Sequence, residues 1–285
     1  MLTLVRHQYS QLISLCMQLQ KSQWKWPEQY GEQQYVILMG GLHIEMAMLK
    51  VIGDWLEGSG WTHVMTAANV TTEGRASGLQ KGSHTSRGEL AHQVTAAALH
   101  ILHMAYDEYK INTPDGEQLN LNDWCEKCVK DYPQFDYWYT CWKLELLFLQ
   151  FLRSQREQTY VAFIESLSKI IPWMFALDHY LYARWMSVHL RDLLALEIEC
   201  PAVHQEFSEK GNFVTQKTTH KFSGLAHDQV HEQLNAIVKG DGGAIGITEN
   251  ESALRRWMVA GPETARILTE YEDRHSKQHL TETSS

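Results

Sequence analysis

The residues best suited to chemistry lie in the segment HKFSGLAHDQVHEQLNAIVKGDGG, residues 220–243, which is crowded with carboxylates, imidazoles and amides. The spacing of its apolar residues predicts a helix. Residues four apart project from the same face of a helix, so Asp228 would lie beside Glu232, and His227 beside His231. Either pair could bind a metal ion or transfer a proton. The sequence therefore indicates a reaction centre here.

The carboxylate pair suits a hard divalent cation. Mg²⁺ takes oxygen ligands, and one or two carboxylates from one element are enough when other elements supply the rest. The alternative is a solvated helix face, because Asp228 and Glu232 lie roughly opposite the apolar stripe, where exposed acids normally stand. Only a covering layer from another part of the chain would turn this pair into a site.

The histidine pair resembles the helical zinc motif, in which two histidines four residues apart ligate the metal. Asp228 would then stand where that motif has its catalytic Glu. Such pairs arise by chance in a chain with 15 histidines, so a zinc hydrolase through His227 and His231 is a weaker alternative.

Two other motifs carry less weight. Cys125 and Cys128 form a CxxC that could be half of a zinc knuckle or a redox pair, but no second CxxC accompanies it. Two buried thiols are the simpler interpretation. The run KGDGGAIG lacks the endings of phosphate and dinucleotide loops and is interpreted as a turn.

An early segment could supply the covering layer. Tyr35–Met39 is a continuous apolar run before two glycines and predicts a buried strand. A helix is predicted from Ile44 to Trp55, and a second strand at 64–70. Strand, helix and strand together are typical of layered α/β folds, which place ligands at the carboxyl ends of strands. His43 and Glu45 follow the first strand directly, so we expect them in the site.

The rest of the chain predicts mostly helices. We predict a long surface loop, a helical block, a strand or hairpin, and two late helices; their ranges are 71–88, 88–200, 212–222, 253–258 and 263–272. Within the block, single helices are predicted at 89–109, 123–130, 134–156, 158–171 and 179–195. Residues 1–23 predict an amphipathic helix, and 273–285 a disordered tail.

Composition sets the outer bounds. The 285 residues carry a formal charge of −9, which argues against a surface dominated by phosphate binding. The longest apolar stretch is too short and too polar to cross a bilayer, so no membrane association is expected. Five cysteines without a signal peptide indicate reduced thiols and an intracellular protein, nuclear or cytoplasmic.

Three runs together resemble a multicopy, transposon-derived family of invertebrate genomes. They are WKWPEQYGEQQYVILMGGLHIEMA, AHQVTAAALHIL and HDQVHEQLNAIVKGDGGAIGITENESALRRWMVAGPE. By analogy with transposases, the resemblance implies an α/β, predominantly helical fold whose small RNase H-like mixed sheet is interrupted by a large helical insertion. The core would comprise residues 24–87 and 201–272, and the insertion 88–200.

The same resemblance implies Mg²⁺-dependent cleavage and transfer of DNA. Glu232 would be the last catalytic acid, supported by Asp228, His43 and Glu45, with Glu232, Asp228 and Glu45 as metal ligands. The first acid of the family should precede residue 28, yet residues 1–27 contain no carboxylate. Two-metal chemistry needs several carboxylates, so we expect a truncated or catalytically impaired protein, or a non-catalytic domesticated binding protein.

Overall fold

Apolar residues at helical spacing run through most of the chain, and a computed structural model shows this part to be predominantly helical. The structure describes residues 36–240, together with position 28 and isolated positions between 251 and 270. The helices are α1 Gly41–Trp55, α2 Trp61–Ala67, α3 Glu73–Gln80, α4 Thr85–Leu99, α5 Ile101–Asn112, α6 Leu121–Asp131, α7 Pro133–Arg156, α8 Tyr160–Ala176, α9 Tyr180–Glu199, α10 Pro201–Lys210 and α11 His227–Lys239; the strands are β1 Thr215–Gln216 and β2 Gly224–Leu225.

Helix α7 organises the fold, because helices α1, α4, α6 and α8 and strand β2 all pack against it. Pro133 begins it, in the first turn, where backbone amides have no intrahelical acceptor to lose. Its fully buried side chains recur every three or four residues and include Leu144, Phe148 and Phe151. At about 1.5 Å per residue it is long enough to touch most of the core.

Helix α1 lies against α7 and is buried on nearly all sides. Ile44, Met48 and Ile52 are completely buried, four residues apart. Leu49 and Val51 are equally buried, so the apolar surface extends beyond a single stripe. A helix surrounded in this way is held by tertiary packing, and its ends are therefore well placed to position a site.

Both predicted strands of the early α/β unit are wrong in the described residues. Residues 36–40 form neither strand nor helix, and the only sheet in 36–240 is the two-stranded ribbon of β1 and β2. The predicted strand 64–70 instead contains helix α2, because Trp61 and Met65 are buried one turn apart while Val64 is exposed. Burial at helical spacing outweighs the strand preference of the valines.

Three other predicted elements differ in extent from those in the structure. The predicted loop 71–88 contains helix α3, whose buried Ala76 and Leu79 are three residues apart. The predicted single helix 89–109 is two helices that meet at His100. Helix α8 continues past Pro172 rather than ending before it, since Met174 beyond the proline is completely buried. Core packing there outweighs the lost backbone hydrogen bond.

The later predictions agree better. The strand or hairpin predicted at 212–222 is confirmed in part: Thr215 pairs antiparallel with Leu225, but this second strand, Gly224–Leu225, lies beyond the predicted range. The helix predicted in the key segment is α11. The chain divides into two compact units, residues 1–229 and 230–285, and the boundary falls inside α11. In the second unit the described positions between 251 and 270 are helical, including Val259 and Pro262, which lie between the two predicted helices.

Other predictions concern residues outside the described part of the chain. These are the helix at 1–23, the glycine-rich turn after Gly240 and the tail at 273–285.

His189 on helix α9 gives the fold a measurable pH dependence. Its side chain is buried, and burial lowers its pKa to about 4. An unfolded chain would bind a proton near pH 6.5, so this residue destabilises the fold as the pH falls from about 6.5 to about 4. We expect the unfolding free energy of wild type, relative to His189→Leu, to fall by about 2 kcal/mol between about pH 7.5 and about pH 5.

Urea denaturation at both pH values measures this difference. The control is His63→Leu, because His63 is exposed and stays in water in both states. The difference in unfolding free energy between His63→Leu and wild type should be the same at both pH values. An equally constant difference for His189→Leu would contradict the prediction.

Candidate functional site

The N-terminus of helix α1 receives a carboxylate from far along the chain. The Leu42 amide donates a hydrogen bond to Oδ1 of Asp228 at 3.1 Å, and the His43 amide donates to Oδ2 at 3.2 Å. Nδ1 of the His43 ring lies 2.7 Å from the same Oδ2. Amides in the first turn of a helix have no intrahelical acceptor, and the helix dipole favours an anion there. Asp228 therefore caps a helix that Gly40 leaves uncapped.

Two glycines make the space for this contact. A Cβ on Gly40 would lie 2.0 Å from Oδ2 of Asp228. A Cβ on Gly41 would lie 2.3 Å from Oε1 of Gln155 and 2.9 Å from Cβ of Ala226. Gly40 has an ordinary extended conformation, so this position requires the absence of a side chain rather than an unusual φ. The GG dipeptide is thus the sequence signal of a crowded junction.

The hairpin and the start of α11 bring Asp228 to that junction. Strand β2 packs on the end of α7, where a Cβ on Gly224 would meet the Gln155 carbonyl oxygen at 2.1 Å. His227 ties the helix to the hairpin, because its Nδ1 lies 2.7 Å from Oγ1 of Thr215 and its Nε2 lies 3.3 Å from the Asn212 carbonyl oxygen. Asp228 follows directly, and its position is therefore fixed from both sides.

The surroundings of Asp228 favour its ionised form. Burial alone would raise the pKa of its carboxyl, but hydrogen bonds from the His43 ring and the Leu42 amide, with the His43 charge, lower it overall. The carboxylate stays an anion at neutral pH, which is what the N-terminus of α1 stabilises.

A second acidic group lies one turn further along α1. Glu45 is buried, and burial together with a hydrogen bond and charge repulsion from Glu89 raises its pKa to about 9. Arg156 acts in the opposite direction: its Nη2 lies 3.7 Å from Oε2 of Glu89, and its charge favours ionised Glu45. At neutral pH Glu45 is therefore protonated and shares a hydrogen bond with Glu89.

Three of the four predicted site residues thus come together. His43 and Asp228 are in direct contact although 185 positions separate them, and the charge of Asp228 acts on Glu45. Glu232 is exposed and belongs to the second unit. The sequence reasoning missed Glu89 and Arg156. Glu89 precedes AHQVTAAALHIL, one of the three conspicuous runs, which was the only available signal for it.

The Mg²⁺ predicted from the resemblance does not fit His43, Glu45 and Asp228 as they stand. Mg²⁺ needs ionised or strongly polar oxygens with free lone pairs in octahedral geometry. Both oxygens of Asp228 already accept hydrogen bonds. No group of three or more His, Cys, Asp or Glu residues suited to a metal occurs in the part of the chain that the structure describes.

The other metal interpretations gain no support. Both ring nitrogens of His227 face oxygens of the hairpin, so they are already used. Cys125 and Cys128 are buried in an aromatic cluster on α6 with Trp124. Burial raises the pKa of the Cys128 thiol, which disfavours the thiolate that metals and redox chemistry require. Along the described residues, no helix is long and apolar enough to span a membrane.

Comparison with families of known proteins gives one match. Residues 115–285 are similar to the family described as "Domain of unknown function (DUF8702)". Asp228, Glu232 and Arg156 fall inside this region, whereas Glu45 and Glu89 precede it. Neither the curated proteins nor the solved structures match the chain.

Proposed function

The chain belongs to the family described as a domain of unknown function (DUF8702), and we propose its function from its own residues. We propose that it descends from an RNase H-like transposase, has lost Mg²⁺-dependent cleavage of DNA, and acts by binding. The proposed location is intracellular, nuclear or cytoplasmic.

This proposal rests on Asp228, because hydrogen-bond donors already occupy both of its carboxylate oxygens. An ionised carboxylate offers about four acceptor positions on its two oxygens. The Leu42 and Gln229 amides donate to Oδ1, and the His43 amide donates to Oδ2, which the His43 ring also contacts. A cation would have to displace these donors and uncap α1. The acid that reaches the junction is therefore structural.

The proximity of His43, Glu45 and Asp228 supports the proposed descent from a transposase. The analogy with transposases predicted that Glu232 would reach the end of an early apolar segment. Glu232 is exposed, and Asp228, one turn earlier on the same helix, reaches that segment instead. The described residues contain a single two-stranded ribbon, so the RNase H-like part of the proposal depends on the resemblance.

A second candidate is a working Mg²⁺-dependent nuclease. It is favoured by the same convergence across 185 residues, which is typical of a site rather than of a surface. In that case Glu232 and Asp228 would be the metal ligands, and the hydrogen bonds to Asp228 would break when the metal binds.

DNA is the binding partner that the resemblance implies. The formal charge of −9 disfavours an extensive phosphate-binding surface, because a net negative charge repels the DNA backbone. We therefore propose a local contact surface with weak salt dependence. Fluorescence anisotropy with a labelled duplex, repeated at several salt concentrations, tests the partner separately from cleavage.

The decisive experiment combines stability with cleavage. Asp228→Ala is expected to lower the unfolding free energy by about 2 to 3 kcal/mol, because three amides and an imidazole lose their acceptor. Wild type should not nick supercoiled plasmid in Mg²⁺ or Mn²⁺ above the level of Asp228→Asn. Denaturant titration and gel electrophoresis measure the two results.

Asp136→Asn is the matched control, since Asp136 is also a first-turn acid, on α7, but is exposed. It should change stability by less than about 0.5 kcal/mol. Metal-dependent nicking by wild type, abolished in Asp228→Asn and in Glu232→Ala, would instead establish the nuclease and refute the loss of cleavage.

A further inference from the structure

Helices α4 and α5 together present a continuous apolar face to solvent. Helix α4 ends at Leu99 and α5 begins at Ile101, and His100 between them keeps helical dihedral angles, φ −57° and ψ −20°. The two helices therefore follow each other without a loop. Exposed apolar residues recur along them at alternating steps of four and three positions, interrupted only by Glu108. These residues form the outer seam: Leu90, Val94, Ala97, Ile101, Met104 and Ile111.

The spacing of the outer seam is the heptad pattern of a coiled coil. An apolar residue every 3.5 positions keeps one strip of a helix facing a partner along its length. The opposite strip of the same helices is already packed inside the fold. On α4, His92 and Thr95 are buried. On α5, Tyr106 and Tyr109 pack against Trp124. The outer seam is therefore a second strip, on the side away from the core.

No element among residues 36–240 covers the outer seam. Ile101 and Ile111 are 64% and 84% exposed, and Leu90 and Met104 are each 60% exposed. From Leu90 to Ile111 the seam is about 31 Å long, and at the breadth of one helix it covers about 300 Å². The largest exposed apolar patch of a monomer is typically a few hundred Å² and is often functional, and the outer seam has that size.

We infer that the outer seam pairs with the outer seam of a second copy of this chain, the two running antiparallel about a two-fold axis. An apolar strip with heptad spacing is complementary to itself, which is what a two-fold interface requires. In this arrangement Ala97 lies opposite Ile101 of the second copy. Val94 lies opposite Met104 of the second copy, so smaller side chains face larger ones. The inference concerns assembly and goes beyond the proposed binding function.

Two charged residues select the antiparallel orientation. Arg87 stands one step of the repeat before Leu90. Glu108 stands one step before Ile111. Both are exposed, and neither side chain forms an ion pair within the described part of the chain. In an antiparallel pair each Arg87 lies at the same end of the interface as Glu108 of the second copy.

A parallel pair would bring like charges together. Arg87 would face Arg87 of the second copy, and Glu108 would face Glu108, which repulsion disfavours. The outer seam is thus complementary in charge to its own reverse. This is the reason for choosing a second copy as its partner.

Sedimentation velocity over a range of protein concentrations measures the self-association of the full chain. Wild type should show a reversible equilibrium between monomer and dimer. Ile101→Lys should raise the dissociation constant at least about a hundredfold, because it places two charges at the centre of an apolar interface. Met104→Lys is a second seam variant should Ile101→Lys not fold, and circular dichroism checks the folding of each.

Leu194→Lys is the matched control for these variants. Leu194 lies on α9, away from the outer seam, and is 63% exposed, like Ile101. The substitution introduces the same charge on an equally exposed helical surface. It should leave the dissociation constant unchanged.

Charge reversal tests the orientation. Arg87→Glu and Glu108→Arg should each raise the dissociation constant about tenfold, because each puts like charges at both ends of the interface. The variant carrying both reversals should return to the wild-type value. A parallel pair would respond to neither reversal, since each would replace one like-charge repulsion by another.

A dimer that is weakened by the seam variants and restored by the double reversal supports the inference. Wild type that stays monomeric up to about 1 mM overturns it and assigns the face to another occupant, a segment of this chain or a different protein. A dimer that the seam variants leave intact, or that neither single charge reversal weakens, overturns it as well.

Discussion

Gly53→Ala is expected to lower the unfolding free energy by about 2 to 3 kcal/mol, although alanine is the better helix former. Gly53 lies in helix α1, where alanine would normally stabilise by up to about 1 kcal/mol. A Cβ there would lie 1.7 Å from the carbonyl oxygen of Gln80 and 2.8 Å from its carbonyl carbon. Backbone cannot rotate aside as a side chain can, so helices α1 and α3 must move apart.

Separation of these helices should have further consequences. The amide Nε2 of Gln80 donates to the Gly53 carbonyl oxygen at 3.3 Å, and that hydrogen bond would also be strained. Completely buried neighbours on α1, such as Ile52, would lose contacts in the same movement. The prediction is therefore a stability loss accompanied by faster hydrogen exchange of the α1 amides, as expected for a loosened core element.

Two glycines of helix α3 provide the controls. Gly74 and Gly78 have nothing within 4 Å of a built Cβ. Alanine at either position should stabilise by about 0.5 to 1 kcal/mol through helix propensity alone. Urea denaturation of the three variants measures the contrast. Equal effects at Gly53 and Gly74 would show that α1 and α3 do not approach as closely as described.

The helices could be predicted wherever burial follows a regular spacing. Predicted helix 134–156 agrees with α7 within one residue, because its core positions recur every three or four residues and Pro133 fixes the start. The strand predicted at 64–70 is wrong because Val64 and its neighbours have a local preference for extended backbone, whereas the burial of Trp61 and Met65 against the core selects a helix. Only the folded chain contains that information.

The candidate site was also predictable only in part, because its contacts depend on the folded chain. The sequence indicated that the helix bearing Asp228 and Glu232 mattered, but helical spacing cannot tell which acid meets the N-terminus of α1. That choice depends on the hairpin, which brings the first turn of α11 to Gly40, where only a glycine leaves room for Asp228. Glu89 and Arg156 have no motif, and only tertiary packing brings them to Glu45.

A buried pair elsewhere in the core gives the second large effect. His92 on α4 and Glu145 on α7 are both completely buried, with Nδ1 of His92 2.9 Å and 3.0 Å from the two carboxylate oxygens. Burial raises the pKa of Glu145, and the charge and hydrogen bond of His92 partly offset this. The ring of His92 stacks on Trp61 with centroids 5.6 Å apart. The pair is therefore a polar contact inside an aromatic and aliphatic core.

His92→Leu is expected to destabilise by about 3 to 5 kcal/mol, because it leaves Glu145 buried without its donor. Glu145→Leu should cost less, about 1 to 3 kcal/mol, since a neutral imidazole is easier to bury than a carboxylate. The double variant should lie within about 1 kcal/mol of wild type, because two leucines remove both polar groups together. Denaturant unfolding of the four proteins completes a double-mutant cycle.

The exposed pair of Arg153 and Glu157, 2.9 Å apart, gives the reference cycle, with a coupling of at most about 1 kcal/mol. If the losses in the His92 and Glu145 cycle simply add, the two side chains do not depend on each other and the buried contact is absent. A strong coupling has a wider consequence. His92 and Glu145 would then hold α4 against α7, the two helices that carry Glu89 and Arg156. The buried pair would therefore also fix the distance between Glu89 and Arg156.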